Sequence, residues 1–194
     1  MRVSKEQAAD NRARILTATA RMIRESGIGG VGVDALTKAA GLTHGSLYSQ
    51  FGSKDRLVAE ALALAMDASA DKTRKELAEG GTLATIVARY LSPSHRDAPG
   101  GGCAIAAIGP EAARQGEGIR AAFTRGIRGF ADRLTGLMPR QQAQSTRRQA
   151  QSPEDAALAT VAGLVGALIL ARAVDDPALS DRILAATARS LTAE

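Results

Sequence analysis

Ile119, Phe123, Ile127, Phe130, Leu134 and Leu137 recur every three or four residues, the repeat that gathers apolar side chains on one face of an α-helix. The same spacing returns in Leu57, Ala61, Leu64 and Ala68, in Leu83, Ile86, Val87 and Tyr90, and in Leu179, Ile183, Leu184, Ala188 and Leu191. No segment sustains the alternation of two that marks a half-buried strand. The chain therefore reads as all-α, with about nine helices. Aromatics make up only 3% of it and Trp is absent, so its core must be largely aliphatic.

Glycine, proline and capping residues set the expected boundaries. Ser4 and Gln7 stand in capping-box spacing at the head of a first helix that carries Ile15, Leu16, Thr19, Met22 and Ile23 and stops at Gly27. A short helix follows over Val33 to Ala40. Gly41 turns the chain and Thr43 is the candidate N-cap of the next helix, where Leu47 and Phe51 form an apolar pair. Gly52 closes that helix, and Ser53 caps a long one reaching about Ala78. Thr82 starts another, stopped by Pro93, and "SPSHRDAPGGG" reads as loop. A helix from about Cys103 to Gln115 precedes the Ile119–Leu137 stripe, which Pro139 ends. "PRQQAQSTRRQAQ" lacks apolar periodicity and reads as a mobile loop. Ser152 with Pro153, and Asp176 with Pro177, open the last two helices.

The apolar run between Asp155 and Arg172 is uncharged for sixteen residues, short of the roughly 20 needed to span a bilayer. A buried helix is the expectation, with no membrane partner. The polar start of the chain has no signal-peptide core, and a single cysteine fits a reducing compartment, so a cytoplasmic protein is expected. The net charge of +5 favours an anionic partner, although arginines scattered over solvated helices would give the same sum.

"GIGGVG" at residues 27–32 spells a dinucleotide-binding fingerprint. That motif needs a buried strand before it and a sheet around it, and here a charged amphipathic helix precedes it. It reads as a loop, and no cofactor is expected. What it leads to is more informative. Two short helices around Gly41-Leu42-Thr43 have helix-turn-helix spacing, with Leu36, Ala40, Leu42 and Leu47 able to pack behind them. The second helix then shows His44, Ser46, Ser49 and Gln50, whose short polar side chains suit base edges in a major groove. Thr43 and Tyr48 can donate to phosphate, Lys54 opens the next helix where free N–H groups favour an anion, and Gly45 completes the candidate DNA-binding set.

This stretch resembles the TetR family of bacterial transcription regulators. The resemblance is carried by Ile15-Leu16, Ala18, Ala20, Gly27, Val33, Ala39-Ala40-Gly41, Thr43, Gly45, Leu47-Tyr48, Phe51, Lys54 and Leu57, and is specific over about residues 12–60. Four positions depart from the family pattern. Gly32 stands where Ser or Thr usually caps the second helix, Thr37 replaces a smaller residue, and Ser49-Gln50 replaces an aromatic-His pair.

The resemblance implies a helix-turn-helix domain over residues 1–52 and a ligand-binding and dimerisation domain over 53–194. It implies a homodimer on a palindromic operator in double-stranded DNA, a repressor released by a small-molecule effector. The candidate pocket comprises Met66, Tyr90, Cys103, Phe123, Ile127, Phe130 and Leu134, which suits an apolar or amphiphilic ligand; plain core packing is the other reading of these residues. Candidate dimer contacts are Val161, Leu164, Leu168 and Ile183, set among Ala156, Gly163, Gly166 and Ala167; burial within one chain is the alternative.

Cys103, expected to open a helix after "GGG", admits two readings: a redox or electrophile sensor, or a space-filling core residue. An enzyme is the competing class. His44 and His95 have no partner at metal-ligand spacing, and only a His95–Cys103 dyad offers chemistry, with no third group to orient it. Neither a metal site nor a catalytic residue is assigned.

Overall fold

Helix caps set the boundaries in the computed structural model, which describes residues 5–41, 43–138 and 152–193. Among these residues there are ten α-helices and no strand: α1 (Lys5–Ser26), α2 (Val33–Ala40), α3 (His44–Phe51), α4 (Lys54–Ala78), α5 (Leu83–Tyr90), α6 (Pro93–Asp97), α7 (Ala104–Ala112), α8 (Glu117–Thr135), α9 (Pro153–Ala173) and α10 (Pro177–Thr192). Ser152 Oγ accepts from Asp155 N at 3.0 Å, and Asp176 Oδ1 accepts from Ala178 N at 2.9 Å and Leu179 N at 3.1 Å. Thr82 and Thr85 bond each other's backbone N–H in a reciprocal box. Each such cap supplies about 1 kcal/mol by satisfying amides the helix cannot.

Three boundaries differ from expectation. Pro93 does not stop α5, which ends at Tyr90; it begins α6, the helix missing from a count of nine, because proline's fixed φ suits a first helical turn as well as a break. Helix α7 ends at Ala112 rather than Gln115, two residues after its internal Pro110. Leu137 lies in a turn beyond α8, not on its stripe. Ser4, Leu42, Pro139 and the loop expected over 139–151 fall outside the described residues.

The chain packs as two compact units, Met1–Ser69 with Ala98–Gly126, and Ala70–Asp97 with Ile127–Glu194. The start of α4, α7 and the start of α8 thereby belong to one unit with α1–α3. In the first unit Ile15, Ile23, Leu36, Leu47, Phe51, Leu57, Leu62, Ile108 and Ile119 are almost wholly buried. In the second, Ile86, Leu134, Leu164 and Leu168 are.

By length and composition alone α9 could cross a membrane. Seven of its residues, Ala157, Thr160, Val161, Leu164, Ala167, Leu168 and Ala171, are nevertheless buried, and the helix packs against α10. The expected dimer contacts Val161, Leu164 and Leu168 therefore lie in the chain's own core. With exposures of 4%, 0% and 0% they have no surface left to give a partner, while Ile183 is half-buried. The other face of α9 carries Leu158, Ala162, Val165, Ile169 and Ala173, all exposed or half-exposed, and α10 adds exposed Leu179. Leu64, placed on the buried stripe of α4 by its spacing, is also exposed.

Arg96 and Arg172 tie the second unit together. Arg96 donates to Asp181 Oδ1 at 2.6 Å and Ser180 Oγ at 2.9 Å, and its guanidinium holds the Asp97 carboxyl below the usual range. Arg172 donates to the carbonyls of His95 and Arg96 at 2.8 and 3.0 Å. His95 Nδ1 donates to Tyr90 O at 2.6 Å, and its ring meets Tyr90 edge-on at 4.8 Å. Burial pulls the His95 pKa below its ordinary 6.5, opposed by the Tyr90 carbonyl and reinforced by Arg172, Arg89 and Lys72. The unfolded chain thus binds the His95 proton more readily, so acid favours unfolding. Stability in urea should fall as pH drops from about 7 to about 5, and His95→Gln should flatten that fall; an unchanged slope would contradict the assignment.

Candidate nucleic-acid interface

Helix α3 has eight residues, too few for stability alone, so its position is set by what it buries. Leu47 and Phe51 are each 1% exposed, as is Leu36 of α2. Arg12 of α1 lays its guanidinium 4.3 Å from the centre of the Phe51 ring and pairs with Glu60 of α4. One stacked cation thus joins α1, α3 and α4.

Between α2 and α3 the chain turns at Gly41, whose φ of 68° lies in the left-handed region, and Thr43 Oγ1 accepts from Ser46 N at 3.4 Å. Thr37, which replaces a smaller residue of the family pattern, is buried, and its hydroxyl donates to Asp34 O at 3.0 Å. Gly32 caps α2 with extended backbone and no side-chain bond, as glycine must. Ser53 Oγ accepts from Arg56 N at 3.2 Å at the head of α4.

Five of the expected DNA-facing residues, Thr43, His44, Gly45, Tyr48 and Ser49, are exposed, and Lys54 is half-exposed. Ser46 and Gln50 are not presented as expected. Both are half-buried, and Gln50 Nε2 donates to Ser46 Oγ at 3.2 Å, while Gln50 Oε1 is buried without a partner among the described residues. Ser49 Oγ donates back to Ser46 O at 3.0 Å, a bond within its own helix. The exposed face of α3 is therefore His44, Gly45, Tyr48 and Ser49. Sequence reasoning missed Asp34, whose carboxylate pairs with His44 Nε2 across the turn. A pattern of polar residues cannot show a contact between two helices.

The "GIGGVG" loop does hold an anion, but the chain supplies it. Glu111 Oε2 of α7 accepts from Ile28 N at 2.8 Å and Gly29 N at 3.3 Å. Free amides in a glycine-rich turn attract a carboxylate for the same reason they attract phosphate.

The expected pocket residues divide between the two units. Met66, Cys103 and Phe123 belong to the first, where Met66 packs on Gly126 at a point with no room for a Cβ. Tyr90, Ile127, Phe130 and Leu134 belong to the second, where the Tyr90 and Phe130 rings lie 5.8 Å apart. Tyr90, Cys103, Phe123, Phe130 and Leu134 are buried; Met66 and Ile127 are half-exposed. Cys103 is the N-cap of α7, close enough to Arg24 for its charge to act on that guanidinium. An open cleft of about 330 Å³ in the second unit is lined by Arg96, Asp97, Arg172 and Asp175 together with Ala171, Val174, Pro177 and Ser180, so charged and apolar groups share it. Among the described residues no cluster of three or more His, Cys, Asp or Glu could hold a metal.

The family model for bacterial regulatory proteins of the tetR family matches residues 15–61, and that for the tetracyclin repressor-like C-terminal domain matches residues 80–187. No curated protein matches the chain significantly by sequence. Among solved structures, E. coli NemR in its reduced form gives a TM-score of 0.77 at 22% identity, covering 94% of this chain and 95% of that one. A TetR-family transcriptional regulator from Cytophaga hutchinsonii gives 0.77 at 20% identity, covering 98% and 96%. A TetR transcriptional regulator from Chloroflexus aurantiacus gives 0.76 at 22%, covering 97% and 98%. These likenesses establish the fold.

A Cβ at Gly41 would meet only the end of Arg14, at 3.6 Å, so substitution there tests the backbone alone. Gly41→Ala should lower the unfolding free energy by about 1–2 kcal/mol and Gly41→Asn by less, measured in denaturant; equal stability of all three proteins would contradict the left-handed turn.

Proposed function

We propose, on the premise that this chain belongs to the tetR family of bacterial regulatory proteins, that it acts in the cytoplasm as a homodimeric repressor of a palindromic operator. DNA binding and transcription regulation follow from the family. The finer reading rests on one observation: His44, Gly45, Tyr48 and Ser49 form an exposed polar face on a helix whose opposite side is locked into the core. Such a face enters a major groove, with Thr43 and Lys54 at its margins to meet phosphates.

The dimer forms through the outward stripe of α9, Leu158, Ala162, Val165 and Ile169, with Leu179 of α10 beside it. Leu158 and Leu179 are 45% and 40% exposed, a cost that a second copy removes. A small apolar or amphiphilic effector favours one pose of α4. It thereby changes the separation of the two reading helices, which must stay near about 34–36 Å to engage successive grooves.

A second reading is supported by Cys103. Cys103 is the N-cap of α7 with Arg24 nearby, and the similar fold of NemR was solved in a form named reduced. Oxidation or alkylation there would replace effector binding as the release signal. Release from DNA that persists unchanged in Cys103→Ser ends this reading.

Selection from random DNA should return an inverted repeat with half-sites one or more helical turns apart; recovery of no consensus would contradict the proposal. Leu158→Glu with Ile169→Glu should convert the dimer to a monomer in sedimentation and weaken operator binding at least tenfold. Val161→Ala, inside the core, should instead lower stability and leave the dimer. The reverse pattern would return the interface to the buried face.

A further inference from the structure

Four of the six residues in the loop feeding α2 are glycine, so the loop has little conformational preference of its own. Ile28 and Val31 anchor it by burial, but burial does not fix direction. The two bonds from Ile28 N and Gly29 N to Glu111 do, because a charge-assisted bond at 2.8 Å tolerates little misalignment. A Cβ at Gly27 would collide with the same carboxylate, so the loop is shaped around it.

A second tie joins the same parts of the chain. Arg24 Nε, in the last turn of α1, donates at 2.7 Å to the carbonyl of Gly100, just before α7. Gly100 in turn leaves room for Glu25, whose carboxylate occupies the place of a Cβ. The lead-in to α7 is therefore fastened to the end of α1, and the last turn of α7 to the loop that follows.

We infer that Glu111 is a positioning residue for DNA binding, its carboxylate fixing the entry to α2 and α3 so that the pose of the reading face follows the position of α7. The inference rests on the proposed DNA reading. Burial alone holds the helix-turn-helix together; Glu111 decides where it points. Coupling of this kind is reciprocal, so DNA bound by α3 must in turn steady α7.

The test uses the full chain as wild type, Glu111→Ala and Glu111→Gln, with a duplex selected by the wild type and a scrambled duplex of equal length. Affinity, thermal midpoint and amide hydrogen exchange with and without duplex are measured. In the wild type, the selected duplex should slow exchange across residues 104–112. Glu111→Ala should lose that response and bind the selected duplex about tenfold more weakly, with scrambled-duplex binding unchanged. Glu111→Gln keeps an acceptor without the charge and should fall between. A residue that merely supports the fold would move the thermal midpoint and binding to both duplexes together, which overturns the inference. So does a Glu111→Ala protein that keeps its selectivity and its α7 response. If Glu111→Ala does not fold, Glu111→Gln decides by the same criteria, and a failure of both to fold also overturns it. A wild type that selects no duplex refutes the DNA reading itself, and the inference with it.

Discussion

The burial of Leu47 and Phe51 holds an eight-residue segment as a helix with a fixed exposed face. A helix that short does not hold in water, and its few internal bonds do not offset the entropy of ordering it. Burying a leucine and a phenylalanine contributes about 1.5–3 kcal/mol each, enough to hold the helix while it is docked. Arg12 completes the arrangement by covering the Phe51 ring. Consequently the polar face of α3 is as fixed as its apolar one, and short side chains such as Ser49 act from a defined place.

The second unit has two aromatic side chains among its described residues, Tyr90 and Phe130, and its last two helices pack without any. Small residues let the helices approach closely: Gly163 of α9 lies where an added Cβ would be 3.4 Å from Leu191 of α10. Ser180 Oγ donates to Ala171 O at 2.7 Å across the same pair. Arg96 and Arg172, each spanning several carbonyls or carboxylates, close the end of this packing. Dispersion between close helices thus stands in for large rings.

What was legible in the sequence depended on distance along the chain. The caps at Thr43, Ser53, Thr82, Ser152 and Asp176 join groups two or three residues apart, and all five are where the pattern placed them. The phase of α9 was not legible, because apolar residues line nearly its whole circumference and periodicity cannot say which side is the core. Hence spacing leaves Val161, Leu164 and Leu168 open to either dimer contact or core, and in the structure they are buried while Leu158 is exposed. The inward turn of Gln50 onto Ser46 is invisible to a reading that counts polar residues. Glu111 stands more than eighty residues from the amides it holds, beyond any local rule. Proline was ambiguous at Pro93, where the same ring stops one helix or starts another.

The most direct measurement of the central claim, that α3 reads duplex DNA with phosphate contacts at its margins, is a titration of operator duplex by fluorescence anisotropy at several salt concentrations. The account predicts that the logarithm of the binding constant falls linearly with the logarithm of salt, with the slope shallower by about 0.9 in Lys54→Ala. Binding indifferent to salt, or no binding at the lowest ionic strength, would contradict it.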